Sequence, residues 1–342
     1  TRYNNIINLK NTIMKKALLA IAAVATITSC SQNEEFENPS QQAEIKIGTT
    51  AVTRATVMET NDFRTFRAFG YAFDSSSEYG ITTAGTKILD GTFNSTDGKS
   101  WSVDGNHKFY WPASDKVIFF GYSPEVSNEG DAYTYTAGYP TIKYTINSTI
   151  ATQTDFLVAK TVGMTKTPEG KVSLGFNHAL TQIEFKLKGD DNDIIYTVTG
   201  LTLKGIAKSG SYSYETGKWL ADSATDDYTM GVLSTPVNGT SPVELTANTQ
   251  LMILMPQTLS GASVEVTYSA KKVVDGKEVI LVNEGTTKTA ELTGTWNVGE
   301  KNVYTLVLKA GDQIQVSGNI EKQWTPKVPD VDVPVENDAP AA

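Results

Sequence analysis

The chain has 342 residues, a formal net charge of −9 at pH 7 and a single cysteine, Cys30. The acidic balance disfavours nucleic acid as a partner, because like charges repel along the phosphate backbone. One cysteine excludes an intramolecular disulfide and a cluster of thiolate ligands. We therefore expect no nucleic-acid partner and no thiolate-bound metal.

Residues 14–29 have the composition of a secretory signal. The pair Lys15 and Lys16 is followed by an apolar run over 17–27 and then by small residues directly before Cys30. This order is that of an exported protein, and the run is shorter than the roughly 20 residues of a membrane-spanning helix. A cysteine in this position resembles the lipobox of bacterial lipoproteins, in which the thiol is acylated and the peptide is cut before it. We predict lipid on Cys30; the alternative is an ordinary secreted protein with a chance cysteine.

Length and composition predict an all-β protein of two domains. Threonine, glycine, valine, tyrosine and serine dominate, and runs of helix-forming residues are missing after Ala25. A mature chain of about 300 residues exceeds what one hydrophobic core usually supports. The predicted parts are an upstream non-native extension over 1–13, a lipoprotein signal peptide over 14–29, an acidic tether over 30–44, an N-terminal β-sandwich domain over 45–168, a C-terminal β-sandwich domain over 169–326 and a proline-rich tail over 327–342.

Alternating apolar and polar residues predict half-buried strands. The clearest examples lie at 45–47, 142–146, 183–187 and 264–268. Continuous apolar runs at 117–120 and 251–255 predict strands buried on both faces. Asp275-Gly276 predicts a tight hairpin turn, because a two-residue turn of this kind requires positive φ angles. Residues 161–171 are turn-rich and are the predicted linker between the two domains.

No catalytic or metal-binding pattern is complete. The two histidines, His107 and His178, are far apart and lack metal-ligand spacing. Residues 190–193 (Asp-Asp-Asn-Asp) could hold calcium, but a polar turn between two predicted strands explains them more simply. Tryptophans could stack on a sugar, yet Trp111 precedes the apolar strand 117–120 and is expected to pack in the core. We expect no enzymatic activity, no metal and no cofactor.

Several motifs, taken in their order along the chain, resemble the fimbrillin family, the subunits of type V pili. They are the lipobox at Cys30, Thr53-Arg54-Ala55, the aromatic-rich strand 66–73, Tyr110-Trp111-Pro112, Asp155-Phe156-Leu157-Val158-Ala159, Phe176-Asn177-His178-Ala179-Leu180, Leu254-Met255-Pro256-Gln257 and Trp296-Asn297-Val298-Gly299. The resemblance rests on order and spacing and covers nearly the whole mature chain. It implies two transthyretin-like or Greek-key β-sandwich domains in tandem, and a structural role in surface fibres that mediate adhesion and biofilm formation.

The resemblance also implies a route of assembly. In polymerising fimbrillins an arginine-specific protease cuts after a first strand, which leaves with the lipid, and a strand of the neighbouring subunit fills the groove by β-augmentation. In this chain the cut falls between Arg54 and Ala55. The residues of the removable strand that share one face are Ile45, Ile47, Thr49 and Ala51. The alternative is an ordinary edge strand followed by an uncut surface arginine.

A donor strand and a modification motif complete the predicted sites. The segment with Ile314, Val316 and Ile320 alternates correctly, and it either completes its own C-terminal domain or inserts into the next subunit. The later valines are weaker donors because Pro334 between them lacks the N–H that an inserted strand needs. Ser223 lies in a tripeptide that resembles an O-glycosylation motif.

We therefore predict a structural subunit or anchor of a type V-like pilus. Its predicted partners are other pilin subunits in a homo- or heteropolymer, an arginine-specific maturation protease, and the outer membrane through lipid on Cys30. It is expected at the cell surface as an outer-membrane lipoprotein, and in the fimbrium after maturation. The alternative is a monomeric glycan-binding surface lipoprotein whose exposed tryptophans contact the sugar.

Overall fold

The computed structural model describes residues 43–50, 63–126, 132–230, 235–245, 252–311 and 314–321. Within these ranges the chain forms strands, interrupted by short 3-10 turns at Asp104–Asn106, Ile150–Thr152 and Pro168–Gly170. The all-β prediction is confirmed. It follows from composition, because β-branched and aromatic side chains pack well on a pleated surface.

The strands are short and numerous. Up to His178 they are β1 (Lys46–Thr50), β2 (Thr65–Phe73), β3 (Thr86–Asn94), β4 (Ser102–Val103), β5 (Lys116–Ser123), β6 (Ala132–Thr134), β7 (Thr141–Thr145), β8 (Leu157–Lys160), β9 (Lys171–Gly175) and β10 (Asn177–His178). They continue as β11 (Thr181–Gly189), β12 (Ile194–Ala207), β13 (Ser209–Ser213), β14 (Lys218–Ala221), β15 (Thr225–Thr229), β16 (Thr235–Asn238), β17 (Val243–Glu244), β18 (Met252–Leu254), β19 (Ser263–Val274), β20 (Lys277–Glu291), β21 (Lys301–Leu308) and β22 (Gln315–Glu321). Each segment predicted from alternation lies in or overlaps one of these strands.

A six-stranded sheet organises the N-terminal part, in the order β10-β8-β5-β2-β3-β4. Successive residues of a strand point to opposite faces, and both faces of this sheet are apolar. Phe66 and Phe119 belong to one buried cluster, whereas Phe69 and Phe120 belong to another. The sheet is therefore a middle layer that needs a cover on each side.

The second face is covered by a four-stranded sheet in the order β14-β13-β7-β6. Tyr133 stacks on Phe69 with ring centroids 3.8 Å apart, and Tyr214 meets Phe120 edge-on at 5.1 Å. In this sheet β7 pairs with β13, so strands from both sides of the predicted boundary at 168/169 are joined. The number and bounds of the domains stay a prediction.

The predicted linker over 161–171 is partly paired. Thr161 N donates to Phe119 O (3.0 Å), Met164 N donates to Val117 O (2.9 Å), and β9 begins at the last residue of the segment. These hydrogen bonds continue the pairing along β5 past the end of β8. Turn-rich composition alone did not reveal them.

Two further sheets enclose the C-terminal core. One has the order β17-β11-β21-β22 with β18 also on β11, and the other has the order β15-β12-β19-β20 with β16 also on β12. Ile183 and Leu187 of the first sheet, together with Val198 and Val266 of the second, belong to one buried cluster. That cluster continues into the aromatic face of the N-terminal sheet, where Phe120 lies.

Candidate functional site

The segment that contains the predicted removable strand is hydrogen-bonded to two other segments of the chain. β1 pairs in parallel with β9 over all five of its residues. Just before β1, Ile45 N donates to Phe109 O (2.8 Å) and Trp111 N donates to Ala43 O (3.0 Å). The segment that begins at Ala43 is therefore built into the N-terminal part of the fold.

Alternate side chains of this segment are buried. Ile45 is 5% exposed and Ile47 is 7% exposed, and both belong to the cluster on the first face of the six-stranded sheet. Thr49 accepts a hydrogen bond from Trp101 Nε1 at 3.1 Å. Ala51, the fourth residue of the predicted face, lies outside the described residues.

The cluster under β1 is strongly aromatic. Phe66 stacks on Phe93 at 5.2 Å, and Phe176 lies 5.1 Å from Phe63 and from Phe66. Burial of the two isoleucines of the β1 segment in this cluster contributes about 1.5–3 kcal/mol each. Without that segment the backbone groups of β9 that pair with β1 would lose their partners, and the cluster would lose two buried side chains. An extended strand with two alternate apolar side chains has the chemistry to cover them.

Gly170 permits the close approach of the segment before β1. It has a φ of +72°, and a Cβ added there would lie 2.0 Å from Glu44 O. Its carbonyl oxygen also accepts a hydrogen bond from Trp111 Nε1 at 3.3 Å. A side chain at this position would be strained and would push Glu44 away. Glycine is therefore required both for the turn and for the seating of the strand.

The residues of lipidation and cleavage, Cys30, Arg54 and Ala55, lie outside the described residues. Arg67, by contrast, lies inside β2 and forms ion pairs of 3.1 and 3.0 Å with Asp90 and Glu125. A cut after Arg67 would sever a central strand of the six-stranded sheet. Cleavage after Arg54 stays a prediction.

The donor-strand candidate is paired within its own chain. β22 lies antiparallel to β21 at an edge of the C-terminal sheet. Ile314 is 5% exposed, Val316 packs against the same core, and the backbone of Ile320 lies opposite Asn302. The sequence left two possibilities open for this segment, and in the structure it completes the sheet of its own chain. Exchange into a neighbour stays a prediction.

Ser223 is exposed between β14 and β15. Its neighbour Asp222 accepts hydrogen bonds from Lys143 Nζ and from Ser209 Oγ, the latter at 2.6 Å. The bond from Lys143, and next the bond from Ser209, holds the pKa of the Asp222 carboxyl below its ordinary value. Ser223 is accessible, and its modification stays a prediction.

Sequence reasoning missed two features of the N-terminal part of the fold. The parallel partner β9 carries an alternating Val172 and Leu174, which a period-two search over 171–175 would detect. Asp155 and His178 form a buried pair between Asp155 Oδ2 and His178 Nδ1, close to the point where β10 pairs with β8. Nothing local to either residue predicts that contact.

Within the described ranges, no group of three or more His, Cys, Asp or Glu side chains is placed to hold a metal ion. In the same residues no helix is long and apolar enough to span a bilayer. Trp111 and Trp296 are each 2% exposed, and Trp101 and Trp219 are half-buried. The predicted core packing of Trp111 is confirmed.

The fold and the seated first strand define a class of all-β protein in which an N-terminal strand covers one face of a middle sheet. The chain belongs to the fimbrillin-like family, whose family model matches residues 53–324. The resemblance drawn from the motifs is thereby confirmed.

The chain is similar to two known proteins. It is 30% identical over 243 residues to the fimbrium subunit Fim1C of Phocaeicola vulgatus, a match that covers 62% of this chain and 64% of that protein. The chain thus spans less than two thirds of that relative. It also resembles the crystal structure of a fimbrial protein from Bacteroides vulgatus, with a TM-score of 0.65, 20% identity, and coverage of 82% of this chain and 99% of that one. At this identity the second likeness shows the fold alone.

Proposed function

We propose that this chain is a structural component of a fimbrium, as a subunit or an anchor of a type V-like pilus. Membership of the fimbrillin-like family and similarity to a fimbrium subunit support this role. The observation that carries it is the segment with β1. This segment pairs with β9, bonds to Phe109 and Trp111 just before β1, buries Ile45 and Ile47, and lies shortly before Arg54 in the sequence. A cut there would separate a seated strand from the rest of the fold.

The proposed maturation has three steps. An arginine-specific protease hydrolyses the peptide bond between Arg54 and Ala55. The strand, with the lipid on Cys30, then leaves the cluster that it covers. A strand of another subunit pairs with β9 and fills the apolar positions of Ile45 and Ile47, in a homo- or heteropolymer.

The energetics favour release after cleavage. Before the cut, covalent linkage keeps the strand at a high effective concentration beside its groove. After the cut, burial of Ile45 and Ile47 contributes about 3–6 kcal/mol, which corresponds to a dissociation constant between about 10 mM and about 0.05 mM. Backbone hydrogen bonds add a modest net term. A free strand held by these contacts is therefore exchangeable with a donor strand that buries more apolar surface.

Location and partners follow from the same proposal. Lipid on Cys30 would hold the precursor at the outer membrane, and the mature fibre would mediate adhesion at the cell surface without catalysis. The glycan-binding alternative has less support. None of the four tryptophans among the described residues is exposed, so they form no open sugar-stacking surface.

The test uses the full-length precursor and a matched variant. Treatment with an arginine-specific protease should yield a new N-terminus at Ala55 and a ladder of oligomers on a denaturing gel. Arg54→Lys keeps the charge but removes the protease site, so it should stay intact and monomeric. A precursor that is neither cut at Arg54 nor polymerises would remove the subunit role and leave the fold unchanged.

A further inference from the structure

The groove that β1 fills combines apolar positions with a hydrogen-bonding position. Ile45 and Ile47 belong to the buried cluster, and Thr49 follows two residues further along the same face. The hydroxyl of Thr49 accepts the hydrogen bond from Trp101 Nε1 at 3.1 Å. An indole N–H is a donor only, so a partner at this position must supply an acceptor atom. The third position of the face therefore differs in chemistry from the first two.

The ring of Trp101 is held by residues outside the β1 segment. Its centroid lies 4.6 Å from the ring centroid of Phe66 and 5.2 Å from that of Phe63. Both phenylalanines follow Arg54 in the sequence, so they remain with the fold after a cut there. The indole N–H therefore keeps its position in the groove when the first strand leaves.

The loop that leads to Trp101 is also fixed without help from β1. Asp97 Oδ1 accepts a hydrogen bond from Ser100 N at 2.7 Å, and Ser95 N donates to Arg64 O at 2.8 Å. A group that is ordered before its partner arrives loses little conformational entropy on binding. The tryptophan is thus a preorganised hydrogen-bond donor for whichever strand occupies the groove.

The other contacts of the groove discriminate less between strands. Its apolar positions select by burial, which is non-directional and which any alternating aliphatic strand supplies. A Cβ added at Gly48 would lie 4.0 Å from Val172 O, an ordinary contact, so that position tolerates a side chain. Glu44 pairs with Lys108 at 3.6 Å, but both side chains are largely exposed and such pairs contribute little.

We propose that Trp101 is the specificity-determining residue of this groove, and that it selects an incoming strand with a serine or threonine two residues after its second apolar side chain. The proposal rests on the proposed function, because it concerns the strand that replaces β1. A site built to donate a hydrogen bond rejects a strand without the acceptor, since the donor then loses its partner. Trp101 is half-buried, so water offsets part of the loss, and the expected discrimination is about three- to tenfold in affinity.

This selection bears on which subunit supplies the strand. With Ile314 and Val316 in the two apolar positions, Gly318 falls in the third position and has no side chain to offer. β22 of a second copy therefore lacks the selected group. A fimbrial subunit of another kind, whose strand carries the hydroxyl, binds better, which favours a heteropolymer.

The first test measures selection with peptides. Full-length protein is cut after Arg54, and a dye-labelled peptide of residues 43–54 competes with its unlabelled Thr49→Val form, so that fluorescence anisotropy gives both affinities. The Thr49→Val peptide should bind wild-type protein about three- to tenfold more weakly, whereas the two peptides should bind Trp101→Phe protein equally. Only the ratio within each protein is compared, so packing lost by Trp101→Phe cancels. A Lys46→Ala peptide is the control, because Lys46 is exposed and its substitution should act equally in both proteins.

Three results would overturn the proposal. They are a ratio near one in wild-type protein, the same ratio in both proteins, and no exchange of the labelled peptide, since a strand that never leaves is not selected. A peptide of residues 313–321, which spans β22, should bind wild-type protein more weakly than the peptide of residues 43–54. Equal affinity of these two peptides would overturn the preference for a different subunit.

Failure of the proposed function is distinguishable from failure of this inference. If an arginine-specific protease leaves the precursor intact at Arg54, the proposed maturation fails. A recognition site for a different protease, placed between Arg54 and Phe63 in the full-length chain, still separates the first strand from the rest. The same peptide ratios then decide the role of Trp101.

Discussion

Gly170→Ala is expected to weaken the seating of β1 selectively. An alanine at a φ of +72° costs about 1–2 kcal/mol from local strain. Its Cβ would also lie 2.0 Å from Glu44 O, and backbone cannot yield without moving the strand. If the shift exposes Ile45, about 1.5–3 kcal/mol of burial is lost. The free energy of unfolding should therefore fall by about 2.5–5 kcal/mol.

Gly261→Ala is the matched control. Gly261 has the same φ of +72°, and nothing lies within 4 Å of a Cβ added there. It should lose only the strain, about 1–2 kcal/mol. Urea denaturation gives both free energies of unfolding by linear extrapolation.

Hydrogen exchange locates the effect of Gly170→Ala. Amides of β9 should exchange faster in this variant, while those of β19 keep their protection relative to its lower global stability. Equal destabilisation by the two glycine variants, with unchanged exchange in β9, would refute the claim that Gly170 seats the strand.

Three further predictions concern the β1 segment, the tryptophan that bonds to it and a buried tyrosine of the aromatic core. Ile47→Ala should lower the free energy of unfolding by about 2–5 kcal/mol, whereas the exposed Ile280→Ala should change it by less than about 0.5 kcal/mol in monomeric protein; chemical denaturation compares them. Trp101→Phe keeps an aromatic ring and loses the hydrogen bond to Thr49, so loss of that bond should cost about 0.5–1.5 kcal/mol, and a double-mutant cycle with Thr49→Val should show coupling. Burial raises the pKa of Tyr71 from 10.0 to about 12, so its stabilising contribution is complete below pH 10 and is lost as pH rises through 12. Phenolate absorbance and circular dichroism followed together should show ionisation accompanying unfolding, and ordinary titration near pH 10 in the native state would contradict it.

Local sequence determined where most strands lie. Alternation at 183–187 and 264–268 predicted β11 and β19, since a half-buried strand repeats every two residues. Asp275-Gly276 predicted its hairpin turn, and both residues have positive φ. The order of short motifs predicted the family, which the family model confirms. These features could be predicted from the sequence because each depends on residues that are close together in the chain.

The partner of β1 was decided by tertiary structure alone. β1 and β9 are separated by more than a hundred residues, and parallel pairing leaves no turn signature between them. Trp101 and Gly170 acquire their roles only when distant loops meet the same strand. The exposure of Val279 and Ile280, near the turn between β19 and β20, could not be predicted either. Apolar β-branched residues in a strand are usually buried. Local pattern was enough to predict which segments form strands and which family the chain belongs to. Only the fold decided which apolar faces are covered and which remain open, because coverage depends on contacts between residues far apart in the chain.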